Sequence, residues 1–296
     1  MSGEPLIEVA IETKDAGALA AVDAHGPMRR DAESGQWLLG GRDEAAIAQT
    51  LARLRAAGVE FRAGPPLVVY REVLAREETV RHTHKRALGG TGEFADVTLA
   101  FAPGAPGSGF VFVDATRGTL PPALAEGARA GIERQRQAGL LAGCAVTDFT
   151  ATLIDARYHE IDSTARLFDT AAGAAFRELR RDAIALLEPA MRVTVTTPED
   201  FLGGVIGDLN ARRAMVLTSG AGTEAPAVLV AEGPLSGLLG YRAALAALTR
   251  ETGACTMEFA RFAPVPRAPG GEDPRFPGAA ALRAISGSGN VIRFRR

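Results

Sequence analysis

Two stretches of this chain place cations or imidazoles beside glycines and short polar side chains. They are His84-Lys85-Arg86-Ala87-Leu88-Gly89-Gly90-Thr91-Gly92-Glu93-Phe94 and Tyr158-His159-Glu160-Ile161-Asp162-Ser163-Thr164. Charged groups and N–H donors of this kind bind the phosphates and riboses of a nucleic acid without reading its bases. Glycine adds backbone that a phosphate can approach closely. We therefore predict that both stretches contact a nucleic-acid backbone.

The histidines also admit a second chemistry. His82 and His84 alternate along a predicted strand, and His159 could lie near them in space, so a histidine-rich metal site is an alternative. Such a site would also need a carboxylate or water ligand and supporting hydrogen bonds around it. The nucleic-acid interpretation requires no metal, and we favour it.

Nucleotide hydrolysis is not expected from this chain. It contains no G-x-x-x-x-G-K-[ST] phosphate loop, and Gly89-Gly90-Thr91-Gly92 has no G-K-[ST] continuation. The lysine and hydroxyl of that continuation are the groups that bind the nucleotide phosphates and magnesium. We therefore expect no cofactor and no metal in this chain.

Length and composition describe an ordinary soluble protein of several domains. The chain has 296 residues, of which 47% are hydrophobic and 23% charged, with a net charge of −2. Two or three domains are expected at this length. No run of about 18 apolar residues is present, and the start of the sequence does not have the pattern of a signal peptide. We expect a cytoplasmic monomer that does not associate with membranes, with Cys144 and Cys255 unpaired.

The first segment predicts a small β/α unit. Leu6–Glu12 and Gln36–Leu39 have strand patterns, a helix follows Asp43 as N-cap and ends near Gly58, and Pro66–Tyr70 closes the unit as a strand. A short helix is expected around Ala16–Ala21. The order fits a split βαβ sandwich of the ferredoxin type.

The middle segment predicts long strands and two helices. A strand from Glu72 through Arg81 leads to a turn at Gly89-Gly90 and a returning strand. A buried strand, a helix, another strand and a second helix that starts at Asp162 as N-cap follow. The ranges are Asp96–Phe101, Phe110–Val113, Pro121–Gln137, Ala145–Ile154 and Asp162–Arg181.

The last segment predicts a second βαββαβ unit. Its strand at Met191–Val195 is followed by a helix, two strands, a second helix and a final strand. The ranges are Gly204–Arg213, Met215–Leu217, Ala227–Ala231, Ser236–Glu251 and Cys255–Phe262. Pro264–Asp273 is rich in proline and glycine and is expected to be extended or disordered, and Pro277–Ile285 is expected to form a short helix.

These stretches resemble parts of elongation factor G. The two polar stretches resemble the tip loops of the family's fourth domain. Val205-Ile206-Gly207-Asp208-Leu209-Asn210-Ala211-Arg212-Arg213 is similar to the start of its fifth domain, and Gly240-Tyr241-Arg242 resembles a helix start that faces ribosomal RNA there. The resemblance implies an α+β chain in which two ferredoxin-like βαββαβ sandwiches flank a domain like ribosomal protein S5 domain 2. We expect three compact bodies at 1–72, 73–187 and 188–264, with a Pro/Gly-rich tail at 265–296.

The resemblance also implies a function for this chain. It would be the ribosome-binding C-terminal part of a translational GTPase, whose middle domain enters the decoding site during translocation of tRNA and mRNA. GTP and magnesium would bind only in a GTPase domain outside this sequence. The implied partners are ribosomal RNA, tRNA in the A site and stalk-base proteins. The implied contact residues are His84, Lys85, Arg86, Gly89, Gly90, Thr91, Gly92, Tyr158, His159, Asp162, Arg212, Arg213 and Tyr241.

This chain departs from the family pattern at the first tip loop. The family usually carries arginine at Thr91, glutamine at Glu93 and glycine at Ala95. Losing a cation and gaining an anion weakens contact with phosphate. The departures favour a divergent paralogue.

Three alternatives remain beside the translocase. A tetracycline-type ribosomal protection factor and a free-standing ribosome- or RNA-binding adaptor fit the same residues. A small-molecule kinase with an S5-like fold is remote, because the helix at Pro121-Pro122-Ala123 opens without a Gly/Ser-rich phosphate loop.

Overall fold

The computed structural model describes residues 4–14, 28–30, 35–88, 91–222 and 225–265. Contact density divides the chain into two compact units. One holds Met1–Tyr70 together with Glu188–Pro264, and the other holds Arg71–Leu187. The predicted helices around Ala16–Ala21 and Pro277–Ile285, and nearly all of the tail, lie outside the described residues.

The sheet of the first segment follows the ferredoxin strand order. Strands β1 (Ile7–Glu12), β2 (Met28–Arg30), β3 (Trp37–Gly41) and β4 (Arg62–Ala63) lie in the order β2-β3-β1-β4, and β5 (Leu67–Val68) also pairs with β1. Helix α1 (Glu44–Ala56) starts where predicted, because the Asp43 carboxylate accepts the Ala46 N–H at 2.7 Å.

The last segment repeats the same strand order. It contains β11 (Ile184–Thr197), α4 (Glu199–Ala211), β12 (Met215–Gly222), β13 (Ala225–Pro234), α5 (Leu235–Leu238), α6 (Tyr241–Leu248) and β14 (Ala254–Pro264). Its strands lie in the order β12-β13-β11-β14, the ferredoxin arrangement. The single helix predicted at Ser236–Glu251 is two helices, because Gly240 adopts a left-handed φ of 72° that no helix can continue through.

The middle unit contains a four-stranded sheet, two helices and a short strand, β6 (Arg71–Leu74), which pairs with the start of β11. Its other elements are β7 (Glu78–Leu88), β8 (Thr91–Pro103), β9 (Phe110–Asp114), α2 (Pro122–Ala138), β10 (Phe149–Arg157) and α3 (Ala165–Arg177). The sheet order is β7-β8-β10-β9, with β9 parallel to β10. Helices α2 and α3 pack closely, since a Cβ added at Gly131 would lie 2.0 Å from the Asp169 carbonyl oxygen.

Strand β9 differs from the prediction of a buried strand. It lies at the edge of its sheet, and Val111 and Val113 are each 41% exposed. A short run of apolar residues does not distinguish an edge strand from a central one, because the distinction depends on which strands pair.

A buried carboxylate organises the loop between α2 and β10. Glu72 is fully buried and accepts backbone N–H groups from four residues of that loop, at 2.6 Å from Leu140, 2.9 Å from Leu141, 2.7 Å from Ala142 and 3.1 Å from Cys144. A buried anion needs such partners. Glu72 thereby joins the start of the unit to the loop that precedes β10.

The division into units differs from the three compact bodies expected. The outer segments share one apolar core, in which Ile7, Val9 and Ile11 belong to the same cluster as Val193 and Val195. The middle unit starts at Arg71 and ends at Leu187, close to the expected limits of 73 and 187, but the boundary at 188 falls inside strand β11. The α+β class is confirmed. Within the described residues, every helix is too short or too polar to cross a membrane.

Candidate nucleic-acid interface

The first polar stretch lies on the hairpin of β7 and β8. The two strands pair from Glu78 with Phe101 to Leu88 with Thr91. The basic run Arg81–Arg86 therefore occupies the middle of β7, and Lys85 and Arg86 are its residues nearest the end of the hairpin. Gly89 and Gly90 lie outside the described residues, so their predicted role stays a prediction.

The basic run does not form a single face. Successive residues of a strand point to opposite faces, and here Arg81, Thr83 and Lys85 are exposed while His82 and His84 are half-buried. His82 Nδ1 lies 2.8 Å from Glu178 Oε1, just after the last residue of α3. Lys85 and Arg86, being consecutive, therefore present their charges on the two sides of the hairpin.

Three hydrogen bonds join the second polar stretch to this hairpin. The Ser163 hydroxyl donates to the Phe94 carbonyl at 2.6 Å, and the Phe94 N–H donates to the Asp162 carbonyl at 2.9 Å. The Gly92 N–H donates to Asp162 Oδ1 at 3.2 Å. The 158–164 loop and the described part of the hairpin end thus lie together at one end of the middle unit, which we name the tip: residues 84–88, 91–94 and 158–164.

The second loop is also held internally. The Ser163 hydroxyl accepts the His159 N–H at 2.8 Å, and the Ser163 N–H donates to the His159 carbonyl at 3.0 Å. His159 Nδ1 accepts the Ile161 N–H at 3.4 Å, which in a neutral ring leaves the proton on Nε2. The side chain of His159 is 59% exposed. The loop therefore presents an imidazole N–H donor on a fixed backbone.

Asp162 does not cap the following helix as predicted. Thr164 is the N-cap of α3, and its side chain accepts the Leu167 N–H at 3.3 Å. The Asp162 carboxylate is used for Gly92 instead, and its Oδ2 lies 3.5 Å from His159 Nδ1. Both residues are good N-caps by type, and the long-range contact with the hairpin decides between them.

Two residues of the basic run, Arg81 and His84, are paired within the hairpin. Arg81 donates two hydrogen bonds to the Asp96 carboxylate, at 3.1 and 2.6 Å, and this contact holds the pKa of Asp96 below its usual value. His84 Nε2 lies 3.1 Å from Glu93 Oε2. Lys85 and Arg86 are exposed and form no ion pair with any residue that the structure describes. These two are the cations available to an anionic partner.

The predicted contacts in the last segment are mostly internal. Tyr241 is fully buried, its burial raises the pKa of its hydroxyl, and that hydroxyl has no hydrogen-bond partner among the described residues. Its ring lies 5.3 Å from the guanidinium of Arg212, which donates to Asp208 at 2.8 Å and to the Gly237 carbonyl at 3.0 Å. Tyr241 is therefore corrected from an RNA contact to a core residue.

Arg213 is more accessible than Arg212. Its side chain is 43% exposed and donates to the Ser236 hydroxyl at 2.9 Å. Its φ of 64° belongs to the turn after α4. Arg213 stays a predicted contact residue, whereas Arg212 is held by its own unit.

The geometry does not favour the alternative metal site. His82 and His84 each face a different glutamate, and His159 is bonded within its own loop. The described part of the chain holds no group of three or more His, Cys, Asp or Glu side chains arranged to bind a metal ion.

Two tip residues were absent from the predicted contact set. Ser163 joins the two loops, and Glu93 pairs with His84. Both lie inside the polar stretches, but their roles depend on contacts with residues of the other loop or strand, which the sequence does not show. Tyr158 and Ile161, which are 38% and 83% exposed, add apolar surface to the same loop.

Comparisons with known proteins agree with this arrangement. The family model described as elongation factor G, domain IV, matches residues 66–183, and the model described as elongation factor G C-terminus matches residues 185–271. Elongation factor G of Hyphomonas neptunium (strain ATCC 15444) is 40% identical over 278 residues, which are 90% of this chain and 39% of that protein.

A solved structure is similar over nearly the whole chain. A crystal structure of a protein from Thermus thermophilus superposes with a TM-score of 0.68 at 33% identity, covering 96% of this chain and 43% of that one. This chain thus spans about two fifths of the length of the proteins it matches. It belongs to the elongation factor G family, with a domain IV over residues 66–183 and the family's C-terminal domain over residues 185–271.

Proposed function

We propose that this chain is the ribosome-contacting C-terminal part of an elongation factor G-like translational GTPase, and that its tip enters the decoding site beside tRNA during translocation. The observation that carries the proposal is the junction of the two polar loops. Hydrogen bonds from Ser163 and Gly92 hold the His159 loop against the hairpin that carries Lys85 and Arg86.

The tip is suited to RNA backbone rather than to base sequence. Lys85 and Arg86 offer positive charge, and His159 offers an N–H donor that phosphate or a 2′-hydroxyl can accept. The loop is already ordered by its own hydrogen bonds, so little conformational entropy is lost on binding. Because the tip would contact RNA backbone and not bases, it could occupy the decoding site whatever the codon in that site.

The remainder of the chain serves as support for the tip. The chain carries no phosphate loop, so the energy of GTP hydrolysis would come from a GTPase domain outside this sequence, with its own GTP and magnesium. The chain acts as a monomer in the cytoplasm. Its partners are ribosomal RNA, the A-site tRNA and stalk-base proteins.

A ribosome-binding titration tests the proposal. The double variant Lys85→Ala/Arg86→Ala removes two cations that have no internal ion pair among the described residues. It should bind 70S ribosomes more weakly at low salt and reduce the slope of log K against log salt by about 0.7 to 0.9 for each phosphate that the variant no longer neutralises. Equal affinity and slope for the wild type and the double variant would contradict the proposal.

His159→Ala should behave differently from the charge variant. It removes one neutral donor, of about 1 kcal/mol, so ribosome affinity should fall by no more than about five-fold, and the salt slope should stay that of the wild type. In a longer chain that carries the GTPase module, the same substitution should slow translocation. A translocation rate that equals that of the wild type would remove His159 from the proposed contact.

A further inference from the structure

Glu93 is an anion placed inside the basic part of the tip. In the register of the hairpin it stands directly opposite Arg86, and its Oε2 lies 3.1 Å from His84 Nε2. The side chains of His84 and Glu93 are 20% and 32% exposed, so the pair is partly shielded from water. Opposed residues of an antiparallel pair have Cβ atoms about 5 Å apart, within reach of charge–charge interaction.

The charge balance at the tip makes this anion important. On the hairpin itself, Arg81 is already held by Asp96, and Lys85, Arg86 and His84 are the positive or ionisable side chains of its end. The Gly92 N–H is occupied by the Asp162 carboxylate. The Glu93 carboxylate lies beside two of these three side chains, His84 and Arg86. It therefore removes a large share of the positive potential that a phosphate would meet there.

We propose that Glu93 takes the place of an RNA phosphate in the free chain, and so sets how many cations the tip offers to the ribosome. Its carboxylate binds His84 and lies opposite Arg86, and an incoming phosphate competes with it for both. This inference rests on the proposed function and deepens it. Glu93 is an affinity-determining residue of the tip, and its effect on RNA binding is unfavourable.

The substitution Glu93→Gln isolates the charge. The amide keeps the size of the side chain and can still accept a hydrogen bond from His84, so the hairpin is preserved while the anion is lost. The variant should bind 70S ribosomes about three-fold or more tightly at low salt. If one more phosphate contact forms, the slope of log K against log salt should steepen by about 0.7 to 0.9.

Glu77→Gln is the matched control. Glu77 is exposed just before β7, at the other end of the strand, and its substitution makes the same change in net charge. If long-range charge alone were responsible, both variants would tighten binding equally. Circular dichroism and urea unfolding of each variant establish that the fold is unchanged.

A double-mutant cycle tests whether Arg86 is the cation whose charge Glu93 offsets. Arg86→Gln should reduce the gain from Glu93→Gln by more than half, because the cation that Glu93 opposes is then missing. Equal effects of Glu93→Gln in both backgrounds would exclude Arg86 as the partner and overturn the inference.

The outcomes separate this inference from the proposed function. If Lys85→Ala/Arg86→Ala weakens binding while Glu93→Gln matches Glu77→Gln, only the role of Glu93 is overturned. If the Lys85/Arg86 variant binds like the wild type, the proposed tip contact itself fails. Tighter binding by Glu93→Gln but not by Glu77→Gln, with loss of that gain in the Arg86→Gln background, supports both.

Discussion

At the scale of single residues, the tip depends on one hydroxyl. Ser163 Oγ donates to the Phe94 carbonyl and accepts the His159 N–H, so the same atom ties the loop to β8 and fixes the backbone of the exposed histidine. In the proposed interface, the Ser163 hydroxyl acts on RNA through the position of His159. Ser163 is therefore a positioning residue of the proposed interface.

Ser163→Ala should loosen the loop without unfolding the unit. Two hydrogen bonds are removed near the surface, where water replaces them in part, so the free energy of unfolding should fall by about 1 kcal/mol. Amide hydrogen exchange at His159 should accelerate, because its N–H loses its acceptor. Ser163→Thr retains the hydroxyl and is the control. Unchanged exchange at His159 in the alanine variant would contradict the positioning role.

At the scale of elements, a backbone conformation decides where a helix ends. Gly240 separates α5 from α6 with a φ of 72°, and its N–H donates to Glu44 Oε2 at 3.0 Å. The alanine-rich sequence beyond it has a high helix propensity. The break is therefore due to the glycine and to its contact with α1.

Glycine-to-alanine substitutions at two positions should change the free energy of unfolding in opposite directions. An added Cβ would meet no atom within 4 Å at Gly240 or at Gly207, but only Gly240 has a positive φ. Gly240→Ala should reduce the free energy of unfolding by about 1 kcal/mol, and Gly207→Ala, inside α4, should increase it by about 0.5 to 1 kcal/mol. Urea unfolding measures both. The same sign for the two variants would contradict this explanation.

At the scale of the whole molecule, the chain is built from two units that differ in how many of their predicted contact residues are exposed. The middle unit carries the tip, whereas the other unit holds most of its predicted contacts inside its own packing, including the fully buried Tyr241. Neither part contains the sequence of a phosphate loop. The proposed interface therefore lies on the middle unit.

The isolated chain should bind neither GTP nor ATP. A nucleotide site of the phosphate-loop type needs a lysine and a hydroxyl beside backbone N–H groups that cradle the phosphates, and at Gly92 that N–H is already bonded to Asp162. Isothermal titration calorimetry with each nucleotide and magnesium should give no binding heat. Micromolar, magnesium-dependent binding would contradict the prediction and reopen the kinase alternative.

Local signals in the sequence were enough to determine most elements and the family. Asp43 begins α1 as its type predicts, Pro121 immediately precedes α2, and the segments predicted as strands at Leu6–Glu12 and Cys255–Phe262 form β1 and β14. Each signal acts within a few residues along the chain. The two polar stretches and the 205–213 segment likewise carry the resemblance in their residue order alone, and the family comparisons confirm it.

Tertiary structure decided the features that depend on residues far apart. Asp162 bonds to Gly92, 70 residues away, instead of capping its helix, and Glu72 accepts N–H groups about as far along the chain. Tyr241 is buried and Val113 is exposed because of which elements pack and pair. A side chain's type limits the bonds it can form, but its partner depends on distances set by the whole fold, and a local pattern carries no record of them.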